Sequence, residues 1–251
     1  GLVRPRIIGG ETAAIEEYPF VVSITHQVEH FCGGAIVGEK WIITSAQCAL
    51  RSLYSVQQAK LFHVRAGTSR YYEGGDNYGV QSVAIHPAFN AINYDYDVGL
   101  VEEFLIRLNF WITYDTTKQP IKLPKTHSMI DDDSLVLVLG WGASRLLGPV
   151  SNELLYTTMR KINNQDCEEA SGGDLITNRM FCALSDTARP CDTARPCVGD
   201  SGSPLIFHVE YSIMDDVVGI TSWSRSCEWQ YPTVFTAIAE VKDWIANVTG
   251  T

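Results

Sequence analysis

Three short segments hold side chains that could do chemistry together. CVGDSGSP (Cys197 to Pro204) sets Ser201 between glycines and behind an aspartate. YDVGL (Tyr96 to Leu100) carries the carboxylate of Asp97, and WIITSAQC (Trp41 to Cys48) ends with the carboxamide of Gln47 before a cysteine. A serine hydroxyl becomes a nucleophile when a neighbour takes its proton, and that neighbour needs a pKa near the working pH. A glutamine amide can donate and accept hydrogen bonds but does not titrate in that range. The six histidines, His26, His30, His63, His86, His127 and His208, all fall outside these segments.

The elements that must carry these residues read as mostly β. Short β-branched and aromatic runs, PFVVSITH, WIIT, QSVAIH, LVLVLGWG, VVGITSW and PTVFTAI, recur between clusters of Gly, Asn and Asp, which is the signature of strands. AIAEVKDWIANV spaces Ile238, Val241, Ile245 and Val248 at helical intervals, predicting one terminal helix with its apolar stripe on the body. The polar face of that helix carries the sequon Asn247-Val248-Thr249, a candidate glycan site in a secreted protein. DTARPC occurs twice in tandem, Asp186 to Cys191 and Asp192 to Cys197. This reads as a local duplication that lengthens a loop and supplies an unpaired thiol at Cys191.

A chain of 251 residues with 45% hydrophobic content can build the core of one large domain or two fused small ones. The net charge of -10 and the lack of clustered Lys and Arg argue against nucleic acid as a partner. No stretch approaches the ~18 apolar residues of a spanning helix, so membrane insertion is not expected. The opening GLVRPR lacks the apolar core of a signal peptide. Seven cysteines without a CxxC pair suit disulfides better than zinc, which points to secretion and leaves one thiol over. No cofactor and no metal are expected.

Four segments in order, RIIGG (Arg6 to Gly10), WIITSAQC, YDVGL and CVGDSGSP, resemble the chymotrypsin-like serine proteases across nearly the whole chain. The resemblance implies an all-β fold: two packed six-stranded antiparallel β-barrels followed by a C-terminal α-helix. It makes residues 1–6 a pro-segment remnant and 7–251 one protease domain, with barrel 1 about 7–121, barrel 2 about 122–237 and the helix about 238–249. The family's order of His, Asp and Ser puts Asp97 and Ser201 in their places and Gln47 where the histidine stands. The backbone N–H groups of Gly199 and Ser201, flanking Asp200, become the oxyanion loop. Cleavage after Arg6 would free Ile7 to pair with Asp200, and His30 matches a position that holds this aspartate in some zymogens.

The same resemblance places Arg195 at the base of the substrate pocket and Ser222, Trp223, Ser224, Ser226 and Thr233 along its walls. Ser224, Ser226 and Thr233 replace glycines that leave room for a substrate, so an occluded pocket is expected. Three disulfides are implied: Cys32 with Cys48, Cys167 with Cys182, and Cys197 with Cys227, with Cys191 the alternative partner of Cys227. Glu73 and Asp76 stand where some relatives bind calcium; an ordinary turn is the favoured reading.

The IIGGETA start, the disulfide pattern and Gln47 resemble most closely the inactivated serine protease paralogues of scabies mites. That resemblance implies a secreted pseudoprotease of the gut lumen. It would be no enzyme, and would act by binding host proteins, complement components above all. The alternative is a weakly active or substrate-assisted serine endopeptidase that borrows a substrate histidine as base. A structural or storage role is a third class, and composition offers nothing specific for it.

Overall fold

The computed structural model describes residues 10–53, 61–104, 111–125, 130–143, 148–185, 199–207, 216–226 and 231–250. After the short strand β1 (Glu11–Thr12), the chain forms β2 (Val21–His26), β3 (Glu29–Ile36), β4 (Trp41–Thr44), helix α1 (Ala46–Leu53), β5 (Phe62–Ala66), β6 (Asp76–Ile85) and β7 (Gly99–Phe104). Strands β2 to β7 close into an antiparallel barrel in the order β2-β3-β4-β7-β6-β5. Alternation along β5 shows how: Phe62, Val64 and Ala66 are buried, while His63 and Arg65 on the other face are only half-buried, as a period of two requires.

The second half contributes β8 (Leu135–Gly140), β9 (Leu155–Ile162), helix α2 (Asn164–Ala170), β10 (Met180–Ser185), β11 (Pro204–Phe207), β12 (Asp216–Trp223), β13 (Thr233–Ala237) and helix α3 (Ile238–Thr249). The run β9-β10-β13-β12-β11-β8 closes because β8 pairs back onto β9. The expected fold class, two six-stranded antiparallel barrels with a C-terminal helix, therefore holds. One boundary differs. Glu11 and Thr12, expected in the first barrel, pair with Tyr156 and Leu155 of β9, and the Ala13 amide donates to the Leu154 carbonyl at 2.9 Å. Burial drives this excursion, because Ala13 and Ile15 sit in the core shared by both barrels.

Three larger apolar cores follow from this architecture, beside a small cluster around Cys167 and Cys182. One fills the first barrel around Val22, Ile24, Val64 and Tyr78; one fills the second around Val138, Met159, Leu205 and Phe235. The third lies between the barrels and includes Val21, Leu100, Leu139, Trp141 and Leu154. Neighbours Val21 and Val22 thus face different cores, which is why β2 is buried along five consecutive residues, the polar Ser23 and Thr25 included. Helix α3 docks on the shared core through Ile238, Val241 and Ile245, and Gly250 ends it in the left-handed region at φ 77°. Helices α1 and α2 are too short for a hydrophobic period to announce them, although Asn163 caps α2 by accepting from the Asp166 amide at 2.8 Å.

Candidate active site

Gln47 is placed by the abrupt turn from β4 into α1. The Ser45 hydroxyl accepts from the Cys48 amide at 3.3 Å, and the Cys32–Cys48 bridge ties the first turn of the helix back to β3. The Gln47 side-chain nitrogen donates to Asp97 Oδ2 and to the Ser222 carbonyl, both at 2.8 Å, while its backbone amide donates to Asp97 Oδ1 at 3.0 Å. Asp97 is fully buried and receives a third side-chain-directed bond from the Ser222 hydroxyl at 2.6 Å. Burial pushes its carboxyl above the usual range, and the bonds from Ser222, Gln47 and Ala46 pull it back. Its side-chain partners are a neutral amide and a hydroxyl, and among the described residues no cation offsets the desolvation.

The loop before Asp97 is held from the second barrel. Tyr94 and Tyr96 both occupy the left-handed region, at φ 57° and 53°, a conformation costly for bulky residues. Asp95, between them, accepts from the Arg179 guanidinium and from the Thr177 hydroxyl at 2.9 Å. The Tyr96 ring stacks on His86 at 4.4 Å and lies under the Arg179 guanidinium at 4.8 Å. Thr236 on β13 then donates to the Asp97 carbonyl at 2.9 Å.

Ser201 sits on a turn built of glycines. Gly202 has φ +81°, and a Cβ there would lie 2.1 Å from the Thr44 hydroxyl. The Gly33 amide donates to the Ser201 carbonyl at 2.9 Å. Asp200 is buried and accepts from the Gly142 amide at 2.9 Å, against a residue whose Cβ would come within 1.9 Å of its carboxylate. His30 donates from Nε2 to the Gly199 carbonyl at 2.8 Å, which makes Nδ1 the acceptor of the Ser23 hydroxyl at 2.7 Å. His30 therefore does not hold Asp200, the role its position has in some zymogens. Burial pushes the imidazole down to about 4 against the pull of the Gly199 bond, so it is neutral at pH 7. The amides of Gly199 and Ser201 donate to none of the described residues.

Gln47, Ser201 and Gly199 border one cleft of about 340 Å³, walled further by Phe31, the Cys32–Cys48 bridge and Arg51. No hydrogen bond joins Gln47 to Ser201 among the described residues. A nucleophile, a polarising pair of amides and a carboxylate are thus assembled, with the amide of Gln47 turned to Asp97 instead of the hydroxyl.

Among the residues expected along the pocket, Ser222 is buried with its hydroxyl on Asp97, because a desolvated carboxylate needs donors. Trp223 packs beside the cluster around Cys167 and Cys182, Thr233 is buried in β13, and the Ser224 hydroxyl donates to the carbonyls of Ser226 and Pro232 at 2.8 and 2.9 Å. Arg6, Ile7, Cys191, Arg195, Cys197 and Cys227 lie outside the described residues, and so does the expected third disulfide. Cys32–Cys48 and Cys167–Cys182 are both formed. Glu73 pairs with Arg70, and Asp76 with Lys118. Asn247 is exposed on α3. The clamp of Asp95, Thr177 and Arg179 was not foreseen, and no local sequence signal marks it, since its halves lie more than 80 residues apart.

The family profile described as Trypsin matches residues 7–245. A trypsin of Phaedon cochleariae is 32% identical over 244 residues, covering 97% of this chain and 88% of that protein. Trypsin 5G1 of Aedes aegypti is 31% identical, covering 98% and 85% respectively. A vitellin-degrading protease of Bombyx mori is 31% identical, covering 97% and 86%. These relatives are named as trypsins and a protease, which points to a protease and overturns the expectation of a protein that is no enzyme. That expectation rested on Gln47 and on the filled pocket, whereas the alignment with these relatives runs over 97% or more of the chain. The chain belongs to the trypsin family of serine proteases.

Proposed function

We propose that the chain is a secreted serine endopeptidase that attacks peptide bonds through Ser201 and takes its general base from a histidine of the substrate. The observation that carries this is the frame kept around Ser201: a buried Asp97 bound by Gln47 and Ser222, an Asp200 held on Gly142, and an open cleft beside the hydroxyl. As Ser201 Oγ bonds to the scissile carbonyl carbon, its proton passes to a neutral imidazole of the bound peptide, and the carbonyl oxygen becomes an oxyanion facing the Gly199 and Ser201 amides. Collapse breaks the C–N bond and the imidazolium returns the proton to the leaving amine; the same histidine, on the acyl side of the cut, then takes a proton from the attacking water and returns it to Ser201 Oγ as the acid is released. Gln47 holds the Asp97 carboxylate but exchanges no proton. The two formed disulfides suit an oxidising, extracellular compartment.

The test is a set of matched peptides with and without a histidine near the cut, given to material starting at Ile7, beside a serine-directed phosphonate. Multiple turnovers confined to histidine-bearing peptides, lost in Ser201→Ala, are expected. Gln47→His should extend cleavage to peptides lacking histidine, with kcat/KM higher by about 10² to 10⁴. Equal cutting of both peptide sets by the unaltered chain would defeat the borrowed base, and no cutting of either would defeat the endopeptidase.

A second reading concerns partners. Slow proton transfer at Ser201 lengthens the life of any bound protein, so the cleft and its rim also suit retention of host proteins, complement components among them, in a gut lumen. This rests on Gln47 and on the sequence resemblance to the mite paralogues. Dose series in classical, lectin and alternative pathway lysis assays test it, and flat curves in all three remove it.

A further inference from the structure

We propose that the cleft beside Ser201 is a binding site for an acidic side chain of the substrate, aspartate or glutamate, within the first two residues after the scissile bond, and that Arg51 selects it. This rests on the endopeptidase reading for the direction of the peptide. Ser222, Trp223, Ser224 and Ser226, which the family resemblance sets along the pocket for the residue ahead of the cut, do not line this cleft. With the residue ahead of the cut on their side, the leaving segment runs past the Cys32–Cys48 bridge toward Arg51.

Arg51 is the basic residue of the last turn of α1, and its guanidinium carbon lies 5.4 Å from the centre of the Phe31 ring. The negative end of the helix favours a cation there, and the ring face limits where the guanidinium can go. The side chain is exposed, and no carboxylate pairs with it among the described residues. That separates it from Arg70, Lys118, Lys161, Arg179 and Arg225, each of which is matched to an Asp or Glu. In a chain with 29 acidic and 19 basic residues, a cation left unmatched at the rim of the cleft that holds the nucleophile is a local reversal of sign. A guanidinium presents parallel donors that fit a carboxylate, and Phe31 and the Cys32–Cys48 bridge wall the same cleft.

The experiment measures binding without turnover. Peptides identical except for Glu or Gln at the first or second residue after the cut are titrated by fluorescence anisotropy into the Ser201→Ala chain. Tighter binding of the Glu peptide, by roughly three- to tenfold at low salt and less at 0.5 M, is expected. Arg51→Gln should abolish the difference and Arg51→Glu should reverse it. Equal binding of the pair, no binding of either, or a preference that survives Arg51→Gln would each overturn the proposal. Because no cleavage is read, a chain that never cuts could still pass this test, and an active one could fail it.

Discussion

Gln47 and His30 are both polar side chains beside the nucleophile loop, and each is fixed by what its hydrogen bonds leave over. Gln47 spends its amide nitrogen on Asp97 and the Ser222 carbonyl, so the carboxylate keeps its donors although the proton acceptor is gone. His30 is buried between Ser23 and the Gly199 carbonyl, with no carboxylate bonded to it, and desolvation holds it neutral. Its folded pKa of about 4 lies below the free value of 6.5, so the unfolded chain takes up the proton first as pH falls. The contribution of His30 to stability is complete above pH 6.5, declines between 6.5 and 4, and amounts to roughly 3 kcal/mol in total. Urea midpoints measured from pH 7.5 to 4 should fall more steeply for the natural chain than for His30→Gln. Parallel curves would show that this imidazole is not the group responsible.

Elements from the two barrels meet at the loop ahead of β7, and the meeting decides where Asp97 points. Two non-glycine residues flanking Asp95 in this loop, Tyr94 and Tyr96, are in left-handed conformations that the loop alone would not hold. The Arg179–Asp95 pair is largely shielded, with side-chain exposures of 25% and 14%, whereas the Arg70–Glu153 pair is half exposed at 50% and 45%. Removing the first should matter more than removing the second. Arg179→Ala is expected to cost roughly 1 to 2 kcal/mol, lowering Tm by about 2 to 4 °C per kcal/mol. It should also slow phosphonate labelling of Ser201 in the Gln47→His background, which Arg179→Lys should partly restore. Labelling left unchanged while Tm falls would reduce the clamp to a purely structural brace.

At the scale of the whole molecule, the cleft exists because the two barrels share one apolar core. Leu139, fully buried in that core, tests the coupling: Leu139→Ala should cost about 2 to 5 kcal/mol and still give a single unfolding transition by calorimetry. Two separated transitions would mean that the barrels unfold independently. Much of this architecture was legible in advance. PFVVSITH, WIIT, LVLVLGWG and VVGITSW became β2, β4, β8 and β12, and the stripe of Ile238, Val241 and Ile245 became the buried face of α3, because side-chain periodicity is a local property of the chain. Motif order marked Ser201, Asp97 and Gln47, and the family resemblance implied the two described disulfides. The expectation of no enzyme, drawn from Gln47 and a filled pocket, gave way to relatives named as trypsins that align with the whole domain. What only the folded molecule decided is where side chains distant in sequence meet: Ser222 bonded to Asp97 across 125 residues, Arg179 to Asp95 across 84, and Arg51 in one cleft with Ser201. Such partnerships depend on how two closed barrels pack, and no repeat or spacing within either segment encodes them.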